Sequence, residues 1–270
     1  MNSAHHELQV PGARLRYRDD GAGRPVVFVH GWTLDLDVWE PQAALAAEMR
    51  VLRYDRRGFG LSTGRPSVDS DVDDLREFLD ALGVVSPLLV GMSQGARVVL
   101  EFAARHPGRA RGLVLDGPPP LAATGEPGAD VPDLPMAAFR EMVAHHGLDT
   151  FRQLWSAHPL TQLASGDAHA HALLARILAR YPGHDLVDGA TAREALDAPV
   201  LAQVRTPALI VNGELDTEVR RRAGQALCAT LPAADHVLVR HAAHLPNLDA
   251  PHAYNQIMLE FARRHLPAAA

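Results

Sequence analysis

The chain has 270 residues, 47% apolar and 21% charged, a composition that buries a sizeable core and argues against disorder. Its formal net charge is −6 and it has no Lys/Arg-rich block, so the electrostatic footprint of a nucleic-acid binder is missing. Cys228 is the single cysteine, which excludes a disulfide framework within the chain and a cysteine-based zinc site.

Elements follow in chain order. Residues Met1 to Val10 lack the apolar stretch of a secretory signal, and no run approaches the ~18 apolar residues of a membrane span. A soluble, cytoplasmic protein is the expectation. Leu8 and Val10, the turn Pro11-Gly12, then Leu15 and Tyr17 read as a hairpin of two short strands. Val26-Val27-Phe28-Val29 is a continuous apolar run of the kind a strand shows when both its faces are buried. Val51 to Tyr54, Leu88 to Val90, Leu113 to Leu115, Ala208 to Val211 and Val237 to Val239 repeat the pattern. Between the runs lie helical periods: Val68, Val72, Leu75, Leu79 and Leu82; Val98, Val99, Phe102 and Ala103; and Tyr254, Ile257, Met258, Phe261 and His265. Alternating strands and helices predict an α/β fold, a mostly parallel, twisted eight-stranded sheet covered by helices on both sides.

The alternation breaks between about Pro118 and Pro199. Phe139, Met142 and Val143, then Phe151, Leu154 and Trp155, then Leu173, Leu174, Ile177, Leu178 and Tyr181 mark helical faces, and no strand run occurs among them. The expected organisation is a core domain made of 1–117 and 200–270, with 118–199 inserted as a helical cap over the carboxyl edge of the sheet.

Gly91-Met92-Ser93-Gln94-Gly95 matches G-x-S-x-G between a strand run and a helical period, the strand–turn–helix context that the motif requires. The turn is tight enough that residues two before and two after the serine must lack bulk, and the following helix directs its N-terminus at the site. His30-Gly31-Trp32 follows the first buried strand, where the loop supplies one N–H of an oxyanion hole; the other comes from the residue after the nucleophile. The backbones of Trp32 and Gln94 are the candidates. The Trp32 ring is equally readable as a core aromatic.

With these residues in hand, the chain resembles the α/β-hydrolase superfamily over nearly its whole length. His30-Gly31-Trp32, Arg53 to Ser62 and Gly91 to Gly95 occur in that family's order. The stretch Asp55-Arg56-Arg57-Gly58-Phe59-Gly60-Leu61-Ser62 is similar to that of esterases, enol-lactonases and cofactor-free haloperoxidases, in which it is structural, so Asp55 is not assigned to catalysis. The resemblance places the acid and the histidine after later strands. Asp216, in Gly213-Glu214-Leu215-Asp216, is the candidate acid. Asp116 is its rival and Glu214 a weaker one. His244, in Ala242-Ala243-His244-Leu245-Pro246, is the candidate base, with Ala243 standing where the family often has glycine and His241 as competitor. The order Ser93, Asp216, His244 is that of the family.

The reading is a serine hydrolase of carboxylic esters or lactones acting through an acyl-enzyme, with no cofactor and no metal. His169 and His171, at i and i+2, do not share a helix face, and Arg97 reads as an ion-pair partner. Phe139, Met142, Phe151, Trp155, Leu174 and Leu245 are candidate pocket residues, although the cap aromatics could equally pack the cap on itself. A small-molecule ester or lactone is the expected partner, with neither nucleic acid nor membrane. The oligomeric state stays open, a homodimer among the options. The alternatives are C–C bond hydrolysis, perhydrolysis or acyl transfer by the same triad, or a small-molecule-binding protein on a hydrolase scaffold.

Overall fold

The computed structural model describes residues 5–125, 134–187, 196 and 198–266. Eight strands form one sheet: β1 (His6–Val10), β2 (Ala13–Asp20), β3 (Pro25–Val29), β4 (Arg50–Tyr54), β5 (Leu88–Met92), β6 (Gly112–Asp116), β7 (Ala208–Gly213) and β8 (Ala234–Val239). Their order is β1-β2-β4-β3-β5-β6-β7-β8. β2 runs antiparallel to both its neighbours, and every other pairing is parallel. The eight runs read from the sequence are these eight strands.

The continuous apolar runs have the expected cause. Successive side chains of a strand point to opposite faces. Val26 and Phe28 enter one hydrophobic cluster, and Val27 and Val29 enter the other. Helices α1 (Val68–Ala81) and α2 (Gln94–Arg105) cover the second face, through Val72, Leu75, Phe78 and Leu79 and through Val98, Val99 and Phe102. The first face is covered by a 3₁₀ segment, Leu36–Ala47, and by the last helix, Pro251–His265.

Among the described residues between β6 and β7 there are helices and no strand. In chain order the α-helices are α3 (Met136–His146), α4 (Leu148–Ser156), α5 (Ala168–Ala179), α6 (His184–Val187) and α7 (Ala198–Leu201), with short 3₁₀ turns at Ala122–Thr124 and Pro159–Thr161. Residues 126–133, 188–195 and 197 of the expected cap lie outside the described residues. Helix α7 straddles the expected boundary at 199. After β7 come α8 (Glu218–Thr230), α9 (Pro246–Asp249) and α10 (Pro251–His265). No helix among the described residues is long and apolar enough to cross a membrane.

Apart from helices and turns of three or four residues, two elements escaped the sequence reading. Leu36–Ala47 contains Pro41 and a break at Trp39 (φ −95°, ψ 15°), which spoils any 3.6-residue period. Helix α8 begins Glu-Val-Arg-Arg-Arg and buries only Arg220, Ala223, Gly224 and Leu227, so its inward face is not an apolar stripe.

Fully buried Phe102 on α2 tests the core. Phe102→Ala should cost about 3–5 kcal/mol in urea unfolding, while Val85→Ala, at a site 80% exposed, should stay within about 0.5 kcal/mol of the parent.

Candidate active site

The carboxyl ends of β3, β5, β6, β7 and β8 carry the candidate residues to one edge of the sheet. Ser93 lies between β5 and α2 with φ 54° and ψ −117°, a strained backbone for a side-chain-bearing residue. Sterics of the turn explain its glycines. A Cβ on Gly91 would lie 2.2 Å from Gly95 O, and a Cβ on Gly95 would lie 2.2 Å from Val29 O. The Ser93 N–H donates to Asp116 O at 2.7 Å, tying the turn to β6.

The loop after β3 packs directly on this turn. A Cβ on Gly31 would meet Met92 Sδ at 2.6 Å and Ser93 Cβ at 3.2 Å. His30 is fully buried and accepts at Nε2 from the Arg56 N–H (2.9 Å), so its Nδ1 carries the proton and donates to Gly31 O (2.8 Å). Burial, reinforced by the charge of Arg56, holds this imidazole well below its ordinary value. Arg56 spans both loops: Nη1 donates to His30 O at 3.2 Å and Nη2 to Gln94 Oε1 at 2.7 Å. Asp71 holds the guanidinium from behind, at 2.6 and 3.0 Å. Among the described residues, neither the Trp32 nor the Gln94 amide donates to a protein acceptor.

Asp55 has the structural surroundings that the resemblance implied. It accepts from the Leu36 and Leu61 amides, both at 2.8 Å. Burial, then the charge of Asp35, pushes its carboxyl up to about 7 against the effect of Arg16.

Asp216 and His244 come together after β7 and β8. His244 Nδ1 lies 3.0 Å from both carboxyl oxygens of Asp216, and the ring is buried. The carboxylate also accepts from the Thr217 N–H (2.7 Å) and from Asn212 Nδ2 (3.2 Å). Burial pushes this carboxyl up. The charge of His244 and the hydrogen bonds from His244, Thr217 and Asn212 outweigh it and hold the carboxyl below its usual range. The His244 ring packs against Gly117, where an added Cβ would lie 2.6 Å from its Cε1.

The rival acid, Asp116, is fully buried, and among the described residues no imidazole hydrogen-bonds to it. Burial, then the charge of Asp216, holds it well above its ordinary value, against the lowering effect of the Tyr254 hydroxyl. Glu214 faces away, accepting from the His241 N–H at 3.1 Å. His169 and His171 take separate partners, Glu40 (3.2 Å) and Ser165 O (2.8 Å). Arg97 pairs with Glu101 at 3.0 Å.

Ser93 and His244 line one narrow cavity of about 20 Å³, with Trp32, Leu34, Met92, Leu134, Trp155, Leu160, Thr161 and Arg220. Of the pocket residues read from sequence, Trp155 is on this wall. Phe139 and Phe151 instead pack on the Trp32 ring, with centroids 5.9 and 5.7 Å away. Met142, Leu174 and Leu245 pack in the hydrophobic cluster on the same side of the sheet. The two phenylalanines pack around the Trp32 ring, while Trp32 and Trp155, themselves in edge contact at 4.8 Å, reach the cavity wall. Arg220 was missed by the sequence reading. Its Nη1 donates to Ser93 Oγ (3.2 Å) and to Gly117 O (2.9 Å). An arginine one helical turn beyond the candidate acid was the available signal.

Comparison with known proteins gives a consistent set. A profile of the alpha/beta hydrolase fold matches residues 24–251. The chain is 32% identical over 221 residues to non-heme chloroperoxidase CPO-A1 of Kitasatospora aureofaciens, covering 77% of this chain and 80% of that one. It is 28% identical over 258 residues to the pimeloyl-[acyl-carrier protein] methyl ester esterase of Serratia marcescens, covering 93% and 99%. Among solved structures, a bromoperoxidase from Bacillus anthracis superposes with a TM-score of 0.81 at 25% identity, over 96% of this chain and 100% of that one.

A carboxyl held above its unfolded value keeps a proton in the native state that the unfolded chain has lost, so it lowers folding stability as pH rises through the interval between the two values. Asp116 is such a group. Asp116→Asn should therefore melt higher than the parent at pH 8, with the advantage shrinking toward pH 4. Melting curves across that range check it, and a variant less stable at pH 8 refutes it.

Proposed function

The chain belongs to the alpha/beta hydrolase fold family and is a hydrolase, and from that premise we propose that it cleaves small carboxylic esters or lactones through an acyl-enzyme on Ser93. One observation carries the reading: the strained Ser93 opens into the cavity that also holds His244, and His244 Nδ1 is hydrogen-bonded to Asp216.

Chemistry follows from the positions. Asp216 accepts a hydrogen bond from Nδ1–H, so Nε2 carries the lone pair that takes the proton of Ser93. Ser93 Oγ attacks the carbonyl carbon. The developing oxyanion is received by the Trp32 and Gln94 amides, whose loops Arg56 holds together. The imidazolium then protonates the leaving alcohol. Water, activated by the regenerated imidazole, attacks the acyl-enzyme and releases the acid.

Residues 118–199 act in this reading as a cap, because Leu134, Trp155, Leu160 and Thr161 supply part of the cavity wall. The cavity holds only about 20 Å³ of free space, far below the ~300–1,000 Å³ of ligand sites, so short acyl and alcohol groups fit best and larger ones need the wall to yield. The likeness to a relative named a bifunctional esterase/perhydrolase, 34% identical over 140 residues, favours perhydrolysis as a second reading. Hydrogen peroxide would take the acyl group in place of water and leave as the peracid.

Hydrolysis of a p-nitrophenyl ester series tests the proposal. Turnover should peak at short acyl chains and fall to background in Ser93→Ala. Asp216→Asn should lower kcat by about 10⁴-fold, since the imidazole loses its tautomer and its charge partner. Asp116→Asn should stay within about tenfold of wild type. Loss of activity in Asp116→Asn with retention in Asp216→Asn would reassign the acid. A folded wild type inert toward all esters and lactones would overturn the reading.

A further inference from the structure

The cavity of Ser93 and His244 contains a cation that the mechanism has not yet used. Arg220, on the first turn of α8, is buried and lies against the nucleophile, its Nη1 donating to Ser93 Oγ at 3.2 Å and to Gly117 O at 2.9 Å. Its backbone is fixed as firmly. The Arg220 N–H donates to the Thr217 hydroxyl at 3.4 Å, and its carbonyl accepts from Asn212 Nδ2 at 3.2 Å. The same Asn212 group donates to Asp216 Oδ2 at 3.2 Å. One amide thus anchors both the acid behind His244 and the arginine before Ser93. Burying a guanidinium beside Trp32, Leu34, Met92 and Leu160 incurs a desolvation cost that a neutral donor would largely avoid.

Resting on the serine-hydrolase reading, we propose that Arg220 is a catalytic residue, a cationic hydrogen-bond donor to the nucleophilic oxygen itself. A hydroxyl has one hydrogen and two lone pairs. The hydrogen goes to His244 Nε2, one lone pair accepts from Arg220 Nη1, and the other attacks the carbonyl carbon. As the O–H bond breaks and the C–O bond forms, negative charge gathers on Oγ beside the guanidinium. The same contact serves deacylation. Water adds to the acyl carbon, the C–Oγ bond breaks with its electron pair passing to Oγ, and the imidazolium returns the proton to that oxygen. Arg220 stays protonated throughout and nothing is consumed. Its action is separate from that of the Trp32 and Gln94 amides, which serve the carbonyl oxygen.

The test is the rate at which a fluorophosphonate labels Ser93, which reads nucleophile reactivity without needing the natural substrate. It is measured on wild type, Arg220→Met, Arg220→Gln and Arg220→Lys, each with a melting curve. Arg220→Met should label about 10- to 100-fold more slowly, the equivalent of one charge-assisted hydrogen bond. Arg220→Lys, which keeps charge and donor, should recover most of the loss, and Arg220→Gln should fall between. Labelling of folded Arg220→Met within about twofold of wild type overturns the proposal. So does equal slowness of the Lys and Met variants, which marks a packing role. Should Arg220→Met fail to fold, the Lys and Gln variants decide: Lys several-fold faster supports the proposal, and equal rates overturn it. A wild type that neither labels nor hydrolyses esters overturns the serine-hydrolase reading, and this proposal with it. A wild type that labels normally beside an unimpaired Arg220→Met overturns the arginine alone.

Discussion

Everything at the site depends on how closely three pieces of backbone approach one another beneath Ser93. The turn from β5 into α2 fits only because Gly91 and Gly95 leave room for each other and for Val29 O, with 2.2 Å where a Cβ would stand. The loop after β3 fits only because Gly31 leaves room for Met92 and Ser93. A fourth contact, Ser93 N–H to Asp116 O, ties the turn to β6. A residue forced to φ 54° persists only where its surroundings over-determine it. Here the parallel strands do so, since β3, β5 and β6 are neighbours in the sheet. The hydroxyl is therefore presented by the fold rather than by local preference.

A second layer of arginine–carboxylate pairs holds those pieces in place. Arg56 bridges His30 O and Gln94 Oε1 and is itself held by Asp71, both partners of that ion pair being buried. Removing one partner from a buried pair leaves an uncompensated charge, which costs more than the pair gains over an apolar replacement. Such pairs contribute geometry more than stability. Arginine suits the task because its planar fork reaches several acceptors in fixed directions. Arg56, Arg180 and Arg220 each engage two or more groups from distant parts of the chain. All the basic residues of the Lys/Arg class here are arginine, and these sites use what that side chain offers.

How much was legible in the sequence follows from the range of each signal. Burial on both faces writes itself into Val26 to Val29 and Leu88 to Val90 as unbroken apolar runs, so the strands were readable one by one. The nucleophile turn was readable because its steric demand falls on two glycines within five residues. Asp216 and His244 depended on resemblance, since their meeting joins loops 28 positions apart and no local pattern encodes it. Arg220 was invisible for the opposite reason: Glu218 to Arg222 reads as a solvated helix start, and only the tertiary fold turns one of its three arginines inward. The pocket failed to read out because apolar character does not say which side chains face each other. Phe139 and Phe151 satisfied the pattern and stacked on Trp32 instead of lining the cavity.

The aromatic cluster has an energetic consequence for the helices between β6 and β7. The Trp32 Nε1–H donates to Asp185 at 2.5 Å, and the Tyr181 hydroxyl donates to the other oxygen of the same buried carboxyl. Trp155 Nε1–H donates to Thr33 at 2.7 Å. Arg180 reaches Asp35 and Asp37 at 2.5 to 2.7 Å. All but the Tyr181 bond, which holds Asp185 in place, join the helices to the loop that carries the Trp32 amide or to the 3₁₀ segment after it. Moving α5 and α6 away as a body would strand Asp185 without its Trp32 donor, and an unsatisfied buried charged group costs more than the ~1–3 kcal/mol of a neutral one. The Trp32 ring would lose its edge contact with Tyr181 in the same motion. Access to Ser93 is therefore cheapest where the wall is not latched, at Leu134 and Leu160, since the Thr161 hydroxyl donates to the carbonyl of the latched Trp155. The latch that fixes Trp32 in place thus also decides which part of the cavity wall is free to yield.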